Sequence, residues 1–332
     1  MITVAVLGAG FMGSAHTANY KALDGQARVK TIVSRSLDRA ARLAETVGAE
    51  ATTDLDSVLR DQDIDAIDVC LPTPAHREAT EQALRAGKHV FLEKPIALTL
   101  DDADAILRAA EGSGRVFMVG LVLRFWPEYV ELQRRVDAGD LGRVTAVATQ
   151  RLSPPADWAE WLGDPIQSGG TAVDLLVHDF DQMNWLFGTP ISAYAREPAP
   201  GHVQALVEYE GGSGTAEGSM RMPRSYPFSS SIRVDCESGA AEYAFSAAPA
   251  EGGGNIGEAQ GPPGLRLYPA DGEPVTVPVA SADPWGPEIS YFVECIEQGR
   301  HPEQGTGDQA REALRVSLAV NRSIASGRTE AV

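Results

Sequence analysis

The feature that most constrains the fold is a glycine-rich hexapeptide, Gly8-Ala9-Gly10-Phe11-Met12-Gly13, which directly follows a short apolar run at residues 3–7. A nearly continuous apolar run of this length is typical of a strand buried on both faces of a parallel sheet. In this position Gly8 permits a tight turn, Gly10 lets the backbone approach a pyrophosphate, and Gly13 allows close helix–strand packing. The hexapeptide therefore predicts the start of a doubly wound α/β domain that binds a dinucleotide at Gly8, Gly10, Phe11, Met12 and Gly13.

The alternation of strand and helix continues to about residue 121. Further apolar runs lie at residues 29–33, 64–71, 89–92 and 116–119, and helical patterns separate them at residues 37–47, 57–60, 75–85 and 100–110. Ser36 and Thr99 stand where helix N-caps are expected, and Gly87 and Gly112 stand where helices end. This order predicts a Rossmann-type parallel sheet in a domain over residues 1–121.

The rest of the chain has a different periodicity. Apolar and polar residues alternate at residues 143–152, 203–210, 215–222, 232–236 and 275–279, as in strands that bury one face. Gly211-Gly212-Ser213-Gly214 and Asp271-Gly272 have the composition of turns between paired strands. We expect helices at residues 128–136 and 172–185, a mobile loop at 246–264, and a last helix over 288–297 and 309–324 that packs back on the first domain. Residues 122–332 are therefore predicted to form an α+β domain with a large open antiparallel sheet.

Composition and charge narrow the function. A length of 332 residues favours two domains over one core. The net charge of -18 argues against nucleic acid and anionic membranes as partners, because both require clustered cations. No apolar run is long enough to cross a bilayer and the N-terminus lacks the pattern of a signal peptide, so we expect a cytoplasmic protein. The three cysteines have no metal or disulfide spacing, and we expect no metal site.

The end of the second predicted strand bears on the choice of dinucleotide. NAD-specific sites usually have an acidic residue there for the ribose 2′-hydroxyl, whereas an arginine accommodates a 2′-phosphate. Here the strand is followed by Ser34, Arg35 and Ser36, and Arg39 lies one turn into the next helix. Guanidinium and hydroxyl groups suit a phosphate, so Ser34, Arg35 and Arg39 favour NADP over NAD. In the alternative interpretation both arginines are solvated surface charges and the backbone binds either cofactor.

Two further motifs suggest a reaction. Asp174 and His178 follow Gly169-Gly170 and are four residues apart, so in a helix they lie on one face, and an Asp that orients a His is a recurrent general base. Lys94, in Glu93-Lys94-Pro95, follows a strand whose C-terminal end should face the nicotinamide, where an ammonium group stabilises an alkoxide or relays a proton. Together they indicate a dehydrogenase. The alternatives are a solvated lysine and a structural histidine, which is also our interpretation of His16.

The chain resembles the Gfo/Idh/MocA family, whose name covers glucose–fructose oxidoreductase and inositol dehydrogenase. Besides the glycine-rich hexapeptide, the ordered motifs that carry this resemblance span nearly the whole length. They are Leu71-Pro72-Thr73-Pro74-Ala75-His76, Ala86-Gly87-Lys88-His89-Val90-Phe91-Leu92-Glu93-Lys94-Pro95, Arg124-Phe125-Trp126-Pro127-Glu128-Tyr129, Ala138-Gly139-Asp140-Leu141-Gly142, Val177-His178-Asp179-Phe180-Asp181 and Glu288-Ile289-Ser290-Tyr291-Phe292-Val293. Such an ordered set is much more specific than any one of its members.

The resemblance implies roles for individual residues. Lys94, Asp174 and His178 match the catalytic lysine, aspartate and histidine of the family, and the Lys94–Pro95 peptide bond is expected to be cis. Leu71, Pro72, Thr73 and His76 are expected to border the nicotinamide half of the cofactor, together with Glu93 and Lys94. Arg124 matches an arginine usually near substrate or cofactor. The preceding Leu121-Val122-Leu123 is more apolar than the family's usual sequence, which argues against a simple inositol or glucose assignment.

The substrate pocket is expected between Lys94 and His178, where the two domains meet. Its aromatic walls would come from Trp126, Tyr129, Trp158 and Trp161, because aromatic faces pack against the C–H side of sugar rings. Alternatively, Trp158 and Trp161 only pack a loop against the sheet. No arginine or lysine cluster for a phosphate is apparent nearby, so a neutral sugar or polyol is favoured. With Arg124, Asp174 and His178, these residues make up the expected substrate site.

Three functions are compatible with these patterns. The first is an NAD(P)-dependent oxidoreductase that acts on a secondary alcohol or ketone of a sugar or cyclitol. The second is a redox-neutral sugar hydrolase, lyase or epimerase that oxidises its substrate transiently and keeps its NAD bound. The third is a non-catalytic sensor that keeps the fold and binds the cofactor as a signal, which would not need to retain Lys94, Asp174 and His178.

An exposed sheet face usually contacts another subunit, so a homodimer or homotetramer is expected.

Overall fold

The computed structural model describes residues 1–156, 159–247, 259–260, 264–279, 283 and 285–332. Asp157 and Trp158, and most of the loop expected at 246–264, lie outside the described residues. Contacts group the chain into two compact units, the first made of Met1–Phe125 and Ala282–Arg311 and the second of Trp126–Ser281 and Glu312–Val332. Compared with the boundaries expected at 1–121 and 122–332, the first unit extends to Phe125 and includes residues 282–311, which contain the first part of the helix expected to pack back on it.

The first unit contains a parallel sheet with strand order β3-β2-β1-β4-β5-β6. This is the order of a doubly wound dinucleotide-binding fold, which confirms the predicted fold class. Its strands are β1 (Ile2–Leu7), β2 (Ala27–Val33), β3 (Glu50–Thr52), β4 (Ala66–Val69), β5 (His89–Leu92) and β6 (Phe117–Val119). Its helices are α1 (Phe11–Ala22), α2 (Leu37–Glu45), α3 (Leu55–Arg60), α4 (His76–Arg85), α5 (Leu100–Ser113) and α9 (Gly286–Gln298).

The core of the first unit includes helix α9, which follows the strands of the second unit in the sequence. The strands bury their apolar runs almost completely, and Val4, Val6 and Phe91 are 0% exposed. Helix α9 packs its apolar face on this core, where the rings of Phe91 and Phe292 meet edge to face at 5.5 Å. Along the sequence, residues 126–281 therefore separate the two parts of the first unit, and residues 282–311 group with its N-terminal part.

The second unit is built on a large, mostly antiparallel sheet with strand order β15-β14-β12-β11-β7-β10-β9-β8-β16, and β13 pairs with β12. Its strands are β7 (Val144–Leu152), β8 (Pro190–Ala199), β9 (His202–Tyr209), β10 (Gly212–Ser219), β11 (Phe228–Cys236), β12 (Gly239–Ala247), β13 (Ala259–Gln260), β14 (Leu265–Pro269), β15 (Val275–Val277) and β16 (Glu330–Ala331). Strands β7 and β10 are parallel, so the sheet is mixed at its centre rather than wholly antiparallel as expected. Its helices are α6 (Pro127–Asp137), α7 (Pro165–Ser168) and α8 (Val177–Phe187), and α10 (Gly307–Ser326) begins in the first unit.

Helix α8 covers one face of this sheet, and glycines in β10 allow its close approach. A Cβ atom added at Gly214 would lie 2.5 Å from Met183 Sδ, and one at Gly218 would lie 2.7 Å from Leu176 Cγ. The opposite face presents partly exposed side chains, including Gln150, Leu206 and Thr215. None of the described helices is long and apolar enough to span a membrane.

Candidate functional site

The glycine-rich turn has the shape that a dinucleotide requires. Gly8 has φ +117°, and a Cβ there would lie 2.2 Å from the carbonyl oxygen of Cys70. A Cβ at Gly13 would lie 1.9 Å from the carbonyl oxygen of Gly8, whereas a Cβ at Gly10 would meet nothing within 4 Å. No side chain caps the N-terminus of α1 at Gly10, and its first turn has no acidic residue. This turn therefore fits a pyrophosphate, which helix N-termini bind through their N–H groups.

The residues after β2 leave two arginines available. The Ser36 hydroxyl accepts a hydrogen bond from the Arg39 backbone N–H at 3.4 Å and caps α2, and Ser34 Oγ accepts one from the Ser36 N–H at 3.3 Å. The side chains of Arg35 and Arg39 are exposed. The structure thus places Ser34 within the turn and both guanidinium groups at the surface beside it.

Lys94 follows β5 in a turn that its neighbours fix. The Lys94–Pro95 peptide bond is cis, which confirms the expectation from the family resemblance. The carboxylate of Glu93 is buried and accepts a hydrogen bond from the Lys94 backbone N–H at 3.1 Å. Lys94 itself is half-buried. A lysine held in this way at the C-terminal end of a parallel strand lies on the side of the sheet where cofactors bind.

His76 connects this turn with the segment that follows β4. Its Nδ1 lies 2.9 Å from the Pro95 carbonyl oxygen, and its Nε2 lies 2.8 Å from the Leu71 carbonyl oxygen. Burial lowers the pKa of His76. Thr73 is buried, and its hydroxyl has no hydrogen-bond partner among the described residues. A buried hydroxyl of this kind fits a site that a bound polar group completes, and Pro72 precedes it at the start of a 3₁₀ turn.

In the second unit, Asp174 and His178 are carried by a helical segment that is not a continuous α-helix. Thr171–Leu175 forms a π-helical turn, closed by a 2.9 Å hydrogen bond from the Leu176 N–H to the Thr171 carbonyl, and α8 begins only at Val177. The helix expected over residues 172–185 is therefore corrected to a π turn followed by an α-helix. Asp174 is buried at 6% exposure and His178 is half-buried. Turns of this type are frequent at functional sites.

Two glycines, Gly169 and Gly170, set the path of the backbone into this turn. Gly169 and Gly170 both have positive φ, at +79° and +72°, and Gly169 ends the short helix α7. The side-chain amide of Asn321 donates a 3.2 Å hydrogen bond to the Gly169 carbonyl, and the Thr171 hydroxyl donates one of 2.9 Å to the Gly201 carbonyl. These contacts fix the entry of the chain into the π turn that contains Asp174.

Sequence reasoning missed a buried ion pair next to His178. Arg151 Nε lies 2.8 Å from Asp179 Oδ2, and Arg151 Nη2 lies 3.3 Å from Asp179 Oδ1. The side chains of Arg151 and Asp179 are 5% and 2% exposed. The pair joins β7 to the first turn of α8, so it fixes the helix that carries His178. The motif Val177-His178-Asp179 contained the only available signal, because nothing in the sequence links Asp179 to Arg151.

The other expected substrate residues range from buried to half-buried. Arg124 is 5% exposed and donates a 2.9 Å hydrogen bond to Gln304 Oε1 within the first unit. Trp126 is half-buried, with its ring 5.3 Å from that of Phe245 on β12. Tyr129 is 3% exposed, and its ring lies 5.7 Å from that of Tyr243 in the second unit. Trp161 lies half-buried in a 3₁₀ turn over Glu160–Gly163.

Comparisons with known proteins identify the family. A model described as an oxidoreductase family with an NAD-binding Rossmann fold matches residues 2–121, and one described as the GFO/IDH/MocA C-terminal domain matches residues 129–242. The scyllo-inositol 2-dehydrogenase (NAD(+)) of Bacillus subtilis strain 168 is 30% identical over 248 residues, which is 70% of each chain. An inositol 2-dehydrogenase of Rhizobium meliloti strain 1021 is 34% identical over 57% of this chain and 56% of that protein.

Solved structures agree with this result at the level of the fold. The aldose-aldose oxidoreductase of Caulobacter crescentus superposes with a TM-score of 0.84 at 24% identity, covering 100% of this chain and 99% of that one. The matched family models, the relatives and the strand order all lead to the same conclusion. The chain belongs to the Gfo/Idh/MocA family of oxidoreductases.

Proposed function

We propose that the protein transfers a hydride between a nicotinamide cofactor and a secondary alcohol or ketone of a sugar or cyclitol. The observation that carries this proposal is the π turn that holds the buried Asp174 carboxylate just before the half-buried imidazole of His178. Two relatives named for inositol oxidation support a neutral polyhydroxylated ring as the substrate class.

The roles of the side chains follow from their chemistry. His178 accepts the hydroxyl proton of the substrate, and Asp174 orients the imidazole and stabilises its charged form. The ammonium group of Lys94 offsets the negative charge that develops on the oxygen. The cofactor, when bound, supplies hydride acceptance and donation at its nicotinamide ring. In the reverse direction His178 returns the proton to the ketone oxygen.

We assign cofactor binding to the turns of the first unit. The N–H groups at the start of α1, around Gly10 and Met12, would hold the pyrophosphate, and the segment with Leu71, Pro72 and Thr73 would border the nicotinamide. The exposed side chains of Arg35 and Arg39 supply positive charge where a 2′-phosphate would lie, which favours NADP.

The cofactor preference has a direct test. Arg35→Asp is expected to weaken NADP binding by about tenfold or more while NAD binding changes little, because the new carboxylate repels the 2′-phosphate. Arg42→Asp, an exposed position further along α2, is the matched control and should affect neither cofactor. Equal losses of NAD and NADP in Arg35→Asp, measured by fluorescence titration, would contradict the preference.

The reaction itself is tested with a panel of cyclitols, sugars and polyols, following the absorbance of the reduced cofactor. We expect net reduction of NAD or NADP with at least one neutral polyol, and His178→Asn should lower turnover by about a hundredfold or more at similar cofactor affinity. Cofactor that copurifies with the protein and shows no net change during turnover would instead identify a redox-neutral enzyme. Binding of cofactor and sugar without any conversion would identify a sensor.

We further propose that the open face of the large sheet contacts a second copy of the chain. Its exposed and half-buried residues belong to neighbouring strands, with Leu206 on β9 paired to Thr215 on β10 and to Tyr194 on β8. Leu206 remains 37% exposed in the single chain. An extended sheet face of this kind is typical of a subunit interface.

A further inference from the structure

A buried cluster of ionisable side chains lies beneath the glycine-rich turn, within the first unit. His16 on α1 is 0% exposed, and its Nδ1 lies 2.9 Å from Asp68 Oδ2 on β4. Its Nε2 lies 3.0 Å from Glu93 Oε1, at the end of β5. The Cys70 thiol lies 3.2 Å from the second Asp68 oxygen, Oδ1. Glu288 on α9 completes the cluster, with one of its carboxyl oxygens, one of Glu93 and a ring nitrogen of His16 all within 4.8 Å of one another.

The charges in this cluster can be assigned from geometry. His16 Nδ1 is hydrogen-bonded to Asp68, whereas Nε2 has no hydrogen-bond partner among the described residues and meets Glu93 as an ion pair at 3.0 Å. With a carboxylate beside each ring nitrogen, the charged form of His16 is the one that both carboxylates stabilise. Glu288 is 0% exposed, and neither of its oxygens has a hydrogen-bond partner among the described residues. An ionised carboxylate without a partner is very costly to bury, and in the described part of this cluster the cation, His16, already faces two carboxylates.

The cluster also joins two turns of the candidate cofactor site. Glu93 Oε2 accepts the backbone N–H of Lys94, so the carboxylate that faces His16 also holds the turn of the proposed catalytic lysine. The Cys70 carbonyl packs so closely against Gly8 that no Cβ fits between them. A change in His16 or Glu93 is therefore transmitted to the position of Lys94.

We propose that Asp68, the charged form of His16 and Glu93 form a relay that positions Lys94, and that Glu288 completes it as a neutral acid. The part concerning Lys94 rests on the proposed function, whereas the protonation of Glu288 does not. Besides the four relay residues, the ionisable groups facing this cluster are Cys70, Tyr20 and Asp283.

The electrostatics agree with this assignment. Burial, and then repulsion by Glu93, raise the pKa of Glu288 well above its usual value. Burial alone would lower the pKa of His16, but attraction to Asp68 and further contacts raise it well above its usual value. Burial also raises the pKa of the Cys70 thiol, which keeps it neutral.

The first test uses the pH dependence of stability and needs no activity. A carboxyl group that is neutral in the folded protein and ionised in the unfolded chain destabilises the fold as pH rises above its unfolded pKa of about 4.3. The unfolding constant of the wild type, relative to that of Glu288→Gln, should therefore rise about tenfold per pH unit until the folded pKa is reached. Glu297→Gln, an exposed position on the same helix, is the control and should give a flat ratio.

Three outcomes of these measurements would contradict the proposal. A flat ratio for Glu288→Gln would overturn the proposal, because it would mean that Glu288 is ionised in the fold. An amide has nearly the size and charge of the neutral acid, so failure of Glu288→Gln to fold at neutral pH would also count against it. One equivalent of divalent metal in the purified protein, lost in Glu288→Gln, would show that the cluster is a metal site instead.

The second test compares two replacements of His16. Asn retains a donor near the position of Nδ1 towards Asp68, whereas Gln extends one towards Glu93. If the contact with Glu93 positions Lys94, His16→Asn should lower kcat about ten- to hundredfold and change cofactor affinity little. His16→Gln should retain a clearly higher kcat than His16→Asn. Equal kcat losses in the two variants would refute the relay. A wild type without oxidoreductase activity would refute the proposed function and leave the test on Glu288 valid.

Discussion

The glycines of the cofactor turn differ in how much space surrounds their Cβ positions. Gly13 has its Cβ position occupied by the Gly8 carbonyl at 1.9 Å, whereas nothing lies within 4 Å of the Cβ position of Gly10. Gly13→Ala should therefore cost about 3 kcal/mol of folding free energy, because backbone must move to make room. Chemical denaturation of this variant measures that cost.

Gly10→Ala gives the opposite expectation. The added methyl group fits the protein alone, so its stability should change by less than about 1 kcal/mol, the cost of a tolerated local change. Cofactor affinity should fall by about tenfold or more, because the methyl group would occupy the space that the pyrophosphate needs. If Gly10→Ala binds the cofactor as well as the wild type, the pyrophosphate does not lie against this residue.

At the residue scale, local backbone structure was predicted best where a short motif specifies it. The hexapeptide at Gly8 specified the turn, and the cis bond at Pro95 followed from the family resemblance. The environment of His16 was not predictable beyond a structural role, because its partners come from two strands and from α9 far along the chain. Only folding brings Asp68, Glu93 and Glu288 around one imidazole.

At the scale of elements, the buried Arg151–Asp179 ion pair connects α8 to strand β7 of the sheet. Removing Arg151 would leave the Asp179 carboxylate buried and unpaired at 2% exposure. Arg151→Met should therefore destabilise the protein by about 3–5 kcal/mol. Because Asp179 adjoins His178, turnover should fall as well, and denaturation and steady-state kinetics measure the two effects separately.

A double variant controls for the loss of side-chain volume. Arg151→Met combined with Asp179→Leu removes both charges and should recover most of the stability, since a buried ion pair can often be replaced by apolar packing. If the double variant is no more stable than Arg151→Met, the cost arises from packing or from the hydrogen bond between Arg151 and Tyr129. In that case the ion pair is not what fixes α8.

Two elements departed from expectation for tertiary reasons. The π turn at Thr171–Leu175 was predicted as α-helix. Side-chain periodicity does not show whether a backbone N–H bonds to the carbonyl five residues back instead of four. Gly212 and Gly214 were assigned to a turn by composition, but they lie in β10. They are needed there because Phe187 and Met183 of α8 pack against their Cα atoms. Composition shows that these residues are small, and only the neighbouring helix explains why.

For the whole molecule, the order of strands along the chain predicted the two kinds of sheet, and the last helix was expected to pack back on the first domain. Residues 282–311 return to the first unit because the apolar face of α9, with Ile289 and Phe292, completes its core. Helical periodicity identifies such a face. Periodicity did not show that the later part of the expected helix, from Glu312 onward, belongs to the second unit.

The open sheet face makes the assembly of the protein testable. We expect a homodimer or homotetramer by light scattering, because a second subunit on this face would remove the exposed side chain of Leu206 from water. Leu206→Lys should shift the protein towards smaller species, since it places unpaired charge in that interface. Leu37→Lys on α2, where the leucine is 53% exposed, is the matched control and should leave the mass unchanged. A wild-type monomer at micromolar concentration, or equal effects of the two lysines, would show that this face does not mediate assembly.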